Sequence, residues 1–185
     1  MGSEMCIRDS GNTLQRFKVG IGQKVKVCTN MCLFSDGTSL DIKARNLEEL
    51  EREIATLINE ADISAQTRAL EQFGEYHLTQ KQFATLLGKS RMYNHLPTKR
   101  KKEVPELLIS DSQISTVTKA YYSDNRFPQV EEGGISLWNL YNLYTGAVKS
   151  SYIDSFMDRN LIAFTFTQGL MKALDGEGVY QWFLS

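Results

Sequence analysis

Leu40-Asp41-Ile42-Lys43-Ala44-Arg45-Asn46-Leu47-Glu48-Glu49-Leu50 changes its apolar period part-way along. Leu40, Ile42 and Ala44 alternate with polar residues, the period of a strand with one face covered. From Leu47 the repeat lengthens, and Leu47, Leu50, Ile54, Leu57 and Ile58 recur at helical spacing. Asn46, with Glu49 three residues on, is the N-cap pair that marks the change. The chain therefore reads as strands before this point and mostly helices after it: an α+β fold, a small N-terminal antiparallel sheet followed by a helix-dominated C-terminal half.

Upstream, Phe17, Val19 and Ile21 alternate with Lys18 and Gly20, and Val25 and Val27 alternate with Lys24 and Lys26. This predicts a hairpin turning at residues 20–23, its second strand running on through residues 28–34, with one wet, lysine-rich face. Asp36-Gly37 is a further turn signal. Downstream, the first helix is expected to end near Ala61, with helix resuming over residues 64–73. Thr79-Gln80-Lys81-Gln82 fits a capping box, with Phe83, Leu86 and Leu87 on one stripe and Gly88 as the stop. Residues 89–105, with two prolines and four adjacent cations, read as a loop. Ser110/Asp111 caps a helix carrying Ile114, Val117 and Tyr121. Leu137, Leu140, Tyr141 and Tyr144 share an apolar face over residues 136–148, residues 162–174 form another helix, and residues 179–184 close the chain as an apolar tail. Trp138, Tyr141 and Tyr144 are expected in the core.

The chain has 185 residues, 42% hydrophobic and 23% charged, with 21 Lys+Arg against 22 Asp+Glu. Thirteen Gly and three Pro exclude a low-complexity chain, and three Cys with two His leave no disulfide scaffold or multi-ligand zinc site. No apolar run reaches the roughly 18–20 residues that cross a bilayer, so no membrane association is expected. The first ten residues, Met1-Gly2-Ser3-Glu4-Met5-Cys6-Ile7-Arg8-Asp9-Ser10, lack the basic and apolar regions of a signal peptide. They resemble a translated sequencing adapter: a GTG start followed by GGC TCG GAG ATG TGT ATA AGA GAC AG encodes this string in order. On that reading residues 1–10 are not native, the natural sequence begins near Gly11, and residues 11–185 are a single α+β domain cut from a longer protein.

Candidate chemistry is sparse. Cys28-x-x-x-Cys32 has the wrong spacing for a redox pair, and His77 and His95 stand at no metal-ligand spacing. Walker A, Gly-x-Ser-x-Gly and HExxH are absent, so no metal, no cofactor and no catalytic residue is expected, and the chain leans away from being an enzyme. The least ordinary segment is Lys99-Arg100-Lys101-Lys102 between Pro97 and Pro105. Four cations on a stiffened loop suit phosphate contacts, and Arg91 and Tyr93 before it, with Tyr121, Tyr122 and Phe127 after it, offer further charge and stacking faces for DNA or RNA. Solvated charge is the simpler explanation of such a block. The acidic helix over residues 47–61 is a candidate surface for a protein partner.

Several strings resemble a known family: Gly11-Asn12-Thr13-Leu14, Val27-Cys28-Thr29-Asn30, Gln82-Phe83-Ala84, Arg91-Met92-Tyr93, Leu137-Trp138-Asn139-Leu140-Tyr141-Asn142 and Lys149-Ser150-Ser151-Tyr152-Ile153-Asp154. The family is domain of unknown function 3871, similar to the broader phage- and plasmid-associated domain of unknown function 932. Val148 stands where that pattern expects a more polar residue. The resemblance implies a bacterial mobile-element protein of the cytoplasm, active in replication, recombination or host takeover, and carries over no catalytic residue. Within these strings, Ser150 or Ser151 is positioned to cap a helix with Asp154 in its first turn, and Lys149 beside the freed N–H groups would suit an anion. Asn30 and Asn142 are candidate buried amides joining the β and α parts.

Overall fold

The computed structural model describes residues 6–7, 15–20, 39–44, 46–60, 63–123, 134–149, 151 and 153–185. The chain divides into two compact units, Met1–Gln66 and Thr67–Ser185. In the first, β1 (Cys6–Ile7), β2 (Gln15–Gly20) and β3 (Ser39–Ala44) form an antiparallel sheet in that order, with Phe17 opposite Ile42 and Val19 opposite Leu40. Helix α1 (Leu47–Glu60) follows and packs against β3, with Ala44 and Leu50 buried. Asn46 caps it as expected: its Oδ1 accepts the Glu49 N–H at 2.8 Å. The expected turn beyond Gly20 and the strand after it lie outside the described residues, as do Asn30 and both Cys28 and Cys32.

Helix α2 (Ile63–Gln72) leads into the second unit, which is helical apart from β4 (His77–Leu78) and β5 (Ile135–Ser136), a short antiparallel pair. Then come α3 (Gln80–His95), α4 (Thr98–Lys101), α5 (Asp111–Ser123), α6 (Leu137–Val148), α7 (Ile153–Leu174) and a 3-10 turn over Val179–Phe183. The Thr79 box is present in full, its hydroxyl accepting the Gln82 N–H and the Gln82 side chain accepting the Thr79 N–H.

The expected stop at Gly88 is wrong: α3 runs through it to His95. A helical glycine costs about 1 kcal/mol, less than burial of Phe83, Leu86, Ser90 and Tyr93 on one face returns. Pro97 ends the helix instead, because the residue before a proline is driven out of helical geometry, and Leu96 is extended with ψ 141°. Residues 89–105 are thus not one loop. Likewise α7 begins at Ile153, not Ile162.

Helix α6 is the centre of this unit. Leu137, Leu140, Tyr141, Leu143, Tyr144, Ala147 and Val148 are all buried, and α5 and α7 pack on it. An apolar surface this wide must be enclosed. Its first free N–H groups are satisfied one by one: Leu137 by the Tyr76 carbonyl, Trp138 by that of Phe73, Asn139 by the Ser136 hydroxyl. Aromatic rings extend the core outward. Phe73 lies 5.8 Å from Tyr141 and 5.6 Å from Phe164, Tyr144 lies 5.8 Å from Phe166, and Phe166 meets Phe183 edge-on at 4.8 Å. Buried Ser90 holds the Tyr144 hydroxyl at 3.2 Å, tying α3 to α6, and burial pushes that phenol up to about 12.

Gly134 enters β5 with φ 72°, and a Cβ there would lie 1.6 Å from the Leu78 carbonyl oxygen. A Cβ at Gly88 would meet nothing within 4 Å. Urea denaturation should therefore separate the two: Gly134→Ala destabilises by at least about 2 kcal/mol, whereas Gly88→Ala stabilises by about 0.5–1 kcal/mol.

Candidate functional site

The segment between α3 and α5 gathers most of the chemistry that residues 67–185 show. Pro97 starts α4, a single turn, and three of its cations face water: Lys99, Arg100 and, just past its end, Lys102. Arg100 reaches Glu103 at 3.7 Å, an exposed i,i+3 pair of little energetic weight. Lys101 differs. It is half-buried, its Nζ donates to the Asn94 carbonyl at 3.2 Å, and it lies 5.3 Å from the centre of the Tyr93 ring. The fourth expected phosphate contact is thus a strut that fastens the turn to the end of α3.

Tyr93 cannot offer a stacking face. It is 7% exposed and packs on Phe183. Tyr121 is likewise buried, against Phe83 at 4.6 Å; Tyr122 is 68% exposed, and Phe127 is outside the described residues. The reason is periodicity, since Tyr93 falls on the same stripe as Phe83, Leu86 and Ser90. Arg91 is exposed, but its Nη2 donates to the Ser115 hydroxyl at 3.0 Å, joining α3 to α5.

Beside the basic turn, α5 begins with a second capping box. The Ser110 hydroxyl accepts the Gln113 N–H at 3.3 Å, and Gln113 Oε1 accepts the Ser110 N–H at 3.0 Å. Asp111 in the first turn takes two donors from α3, Asn94 Nδ2 at 2.7 Å and His95 Nε2 at 2.9 Å. These bonds, Asn94 foremost and His95 next, hold its carboxyl below the usual range. Gln113 is buried and also joins elements: its Oε1 accepts from Arg159 Nη1 at 2.8 Å and its Nε2 donates to the Ser151 hydroxyl at 2.9 Å. Tyr93, Asn94, Lys101, residues 106–112 and Arg159 line an open groove of about 720 Å³.

The remaining candidates separate. Ser151 meets the Gln113 amide, Lys149 is the exposed C-cap of α6, and Ser150 lies outside the described residues together with the side chain of Asp154. Asn142 is half-buried, and its Nδ2 donates to the Trp138 carbonyl one turn back in its own helix. Gln113 is a buried amide that does join elements. Sequence reading missed Asn94, His95 and Arg159, whose partners are 17, 16 and 46 positions away. Among the described residues no group of three His, Cys, Asp or Glu comes together, and no helix is long and apolar enough to cross a membrane.

A family profile described as "Domain of unknown function, B. Theta Gene description (DUF3871)" matches residues 7–184. The chain belongs to this family. No match was found among curated proteins or solved structures. Membership brings no activity with it, so the geometry of the α3–α5 segment has to carry any functional reading.

The Asp111 contacts give a pH signature. Its folded carboxyl is more acidic than in the unfolded chain, so the stability it contributes is complete above the ordinary carboxylate range and is lost as pH falls through the folded value. Thermal melts should show Asp111→Asn below the parent in Tm at pH 7, the gap closing as pH drops below about 4. A gap of constant size from neutral pH to about pH 3 would contradict this role.

Proposed function

We propose that the protein is a nucleic-acid-binding accessory factor of a phage or plasmid, acting in the bacterial cytoplasm in replication, recombination or host takeover. One observation carries the binding role: Lys99, Arg100 and Lys102 stand exposed on a turn that Lys101, from the same run, fastens down. The backbone that carries these three cations is already held in place, and each cation releases counterions when it meets a phosphate. The mobile-element setting rests on the resemblance of the quoted strings to the phage- and plasmid-associated domain of unknown function 932. The role is accessory and electrostatic: Tyr93 and Tyr121 are buried, which leaves Tyr122 as the exposed ring among these tyrosines, so sequence-tolerant backbone contact is the mode this surface fits.

A second reading rests on α1. Its acidic surface carries two exposed apolar residues, Leu47 at 66% and Ile58 at 57%, which a protein partner would cover.

Fluorescence anisotropy with duplex and single-stranded DNA across a salt series distinguishes the two. The expected slope of log K against log salt is about −3 for duplex and about −2 for single strands, from three phosphate contacts. Lys99→Glu, Arg100→Glu and Lys102→Glu together should abolish binding while leaving the melt unchanged; Lys101 is kept, because its loss would loosen the turn itself. Absence of binding at low salt would sink the nucleic-acid reading and leave α1 as the working surface.

A further inference from the structure

Residues 105–110 connect the basic turn to α5 without belonging to any helix or strand. Their burial nevertheless alternates: Pro105, Leu107 and Ile109 are buried, while Glu106, Leu108 and Ser110 are exposed. A period of two belongs to an extended chain, whose side chains point alternately in and out. The main-chain N–H and C=O groups of such a chain project sideways and need partners. Among the described residues the backbone of 106–109 forms no hydrogen bond with the rest of the protein. Pairing resumes only at Ser110, whose N–H reaches Gln113. Among the described residues the segment is therefore strand-like in its burial pattern and pairs with no other strand.

The edge of this segment lines the 720 Å³ groove, so there is room alongside it. The groove's charged lining is balanced, Lys101 and Arg159 against Glu106 and Asp111, so its preference comes from which buried group lacks a partner. Lys101 and Arg159 line it, and neither has a carboxylate partner among the described residues. Arg159 Nη1 is occupied by Gln113, but its Nε is buried with no acceptor, an arrangement that costs free energy until one arrives. Asp111, by contrast, is already held by Asn94 and His95. An occupant that supplies alternating backbone donors and acceptors together with a carboxylate satisfies both sets of orphaned groups. A nucleic acid supplies the negative charge without the main-chain ladder.

We infer that residues 105–110 capture an acidic segment of a partner protein, which adds to this edge as an extended strand. Main-chain bonds would supply affinity, and the Arg159 contact would select an Asp or Glu at one register position. The inference does not depend on the basic turn, whose cations point to water outside this ladder.

The test uses the full chain. Short random peptides displayed on phage are selected on the immobilised protein, and the enriched ones are synthesised for anisotropy and hydrogen exchange. Enriched peptides should place β-branched or aromatic residues at alternate positions and an Asp or Glu at one fixed position among them. In the free protein the amides of residues 106–109 should exchange as unprotected groups; when peptide is bound, one alternate pair of them, 106 and 108 or 107 and 109, should slow at least about tenfold. N-methylation of one alternate set of peptide amides should abolish binding, while methylation of the other set should leave affinity within about twofold, because only one edge of the peptide pairs. Arg159→Gln should weaken acidic peptides at least about tenfold and leave their Asn or Gln counterparts unchanged. Any of these results would overturn the inference: no enrichment, a footprint elsewhere, equal sensitivity to both methylation sets, or amides already slow in the free protein. So would oligonucleotides that protect these amides while peptides do not.

Discussion

A helix with apolar side chains around most of its circumference persists in water only when other elements enclose it, and α6 is such a helix. The second unit is arranged by that requirement. The turn after α2 and the end of β5 supply acceptors for the first N–H groups of α6, α5 and α7 cover its sides, and the Ser90–Tyr144 contact brings α3 onto it. Gly134 is a consequence of the same arrangement. The backbone entering α6 passes so close to the Leu78 carbonyl that no side chain fits between them.

Enclosing α6 fixes α3 and α5, and with them the segment that joins the two. Pro97 stops α3, Lys101 returns to the Asn94 carbonyl, Asp111 reaches back to Asn94 and His95, and Arg159 of α7 meets α5 through Gln113. Charged groups here divide by what they touch. Lys101, Asp111 and Arg91 hold helices together, while Lys99, Arg100 and Lys102 remain available to solvent. Without that division the block would be only a count of charges. Between the two kinds runs the unpaired backbone of residues 106–109, held extended by burial of Leu107 and Ile109.

Local physics was legible in the sequence and tertiary physics was not. The change of period at Ala44–Leu47, the Asn46 cap, the Thr79 box and the apolar face of α6 all depend on residues within one or two turns, and each stands in the structure where its spacing puts it. Gly88 misled because its intrinsic penalty is small beside the burial of its neighbours on α3. Lys101 could not be told from Lys99 by composition, since the difference lies in the Tyr93 ring and a carbonyl seven positions back. Gln113 was hidden for the same reason: a buried amide is recognised by what surrounds it, and Arg159 and Ser151 come from distant parts of the chain. Family membership, by contrast, was visible in the short strings alone, and the profile match over residues 7–184 bears it out.

Native-state hydrogen exchange across a urea series tests the role given to α6 most directly. If the unit is built around this helix, amides over Leu140–Val148 open only when the whole unit unfolds, with a urea dependence equal to that of global unfolding. Exchange of those amides through a smaller opening, with α3 and α5 still protected, would contradict the account.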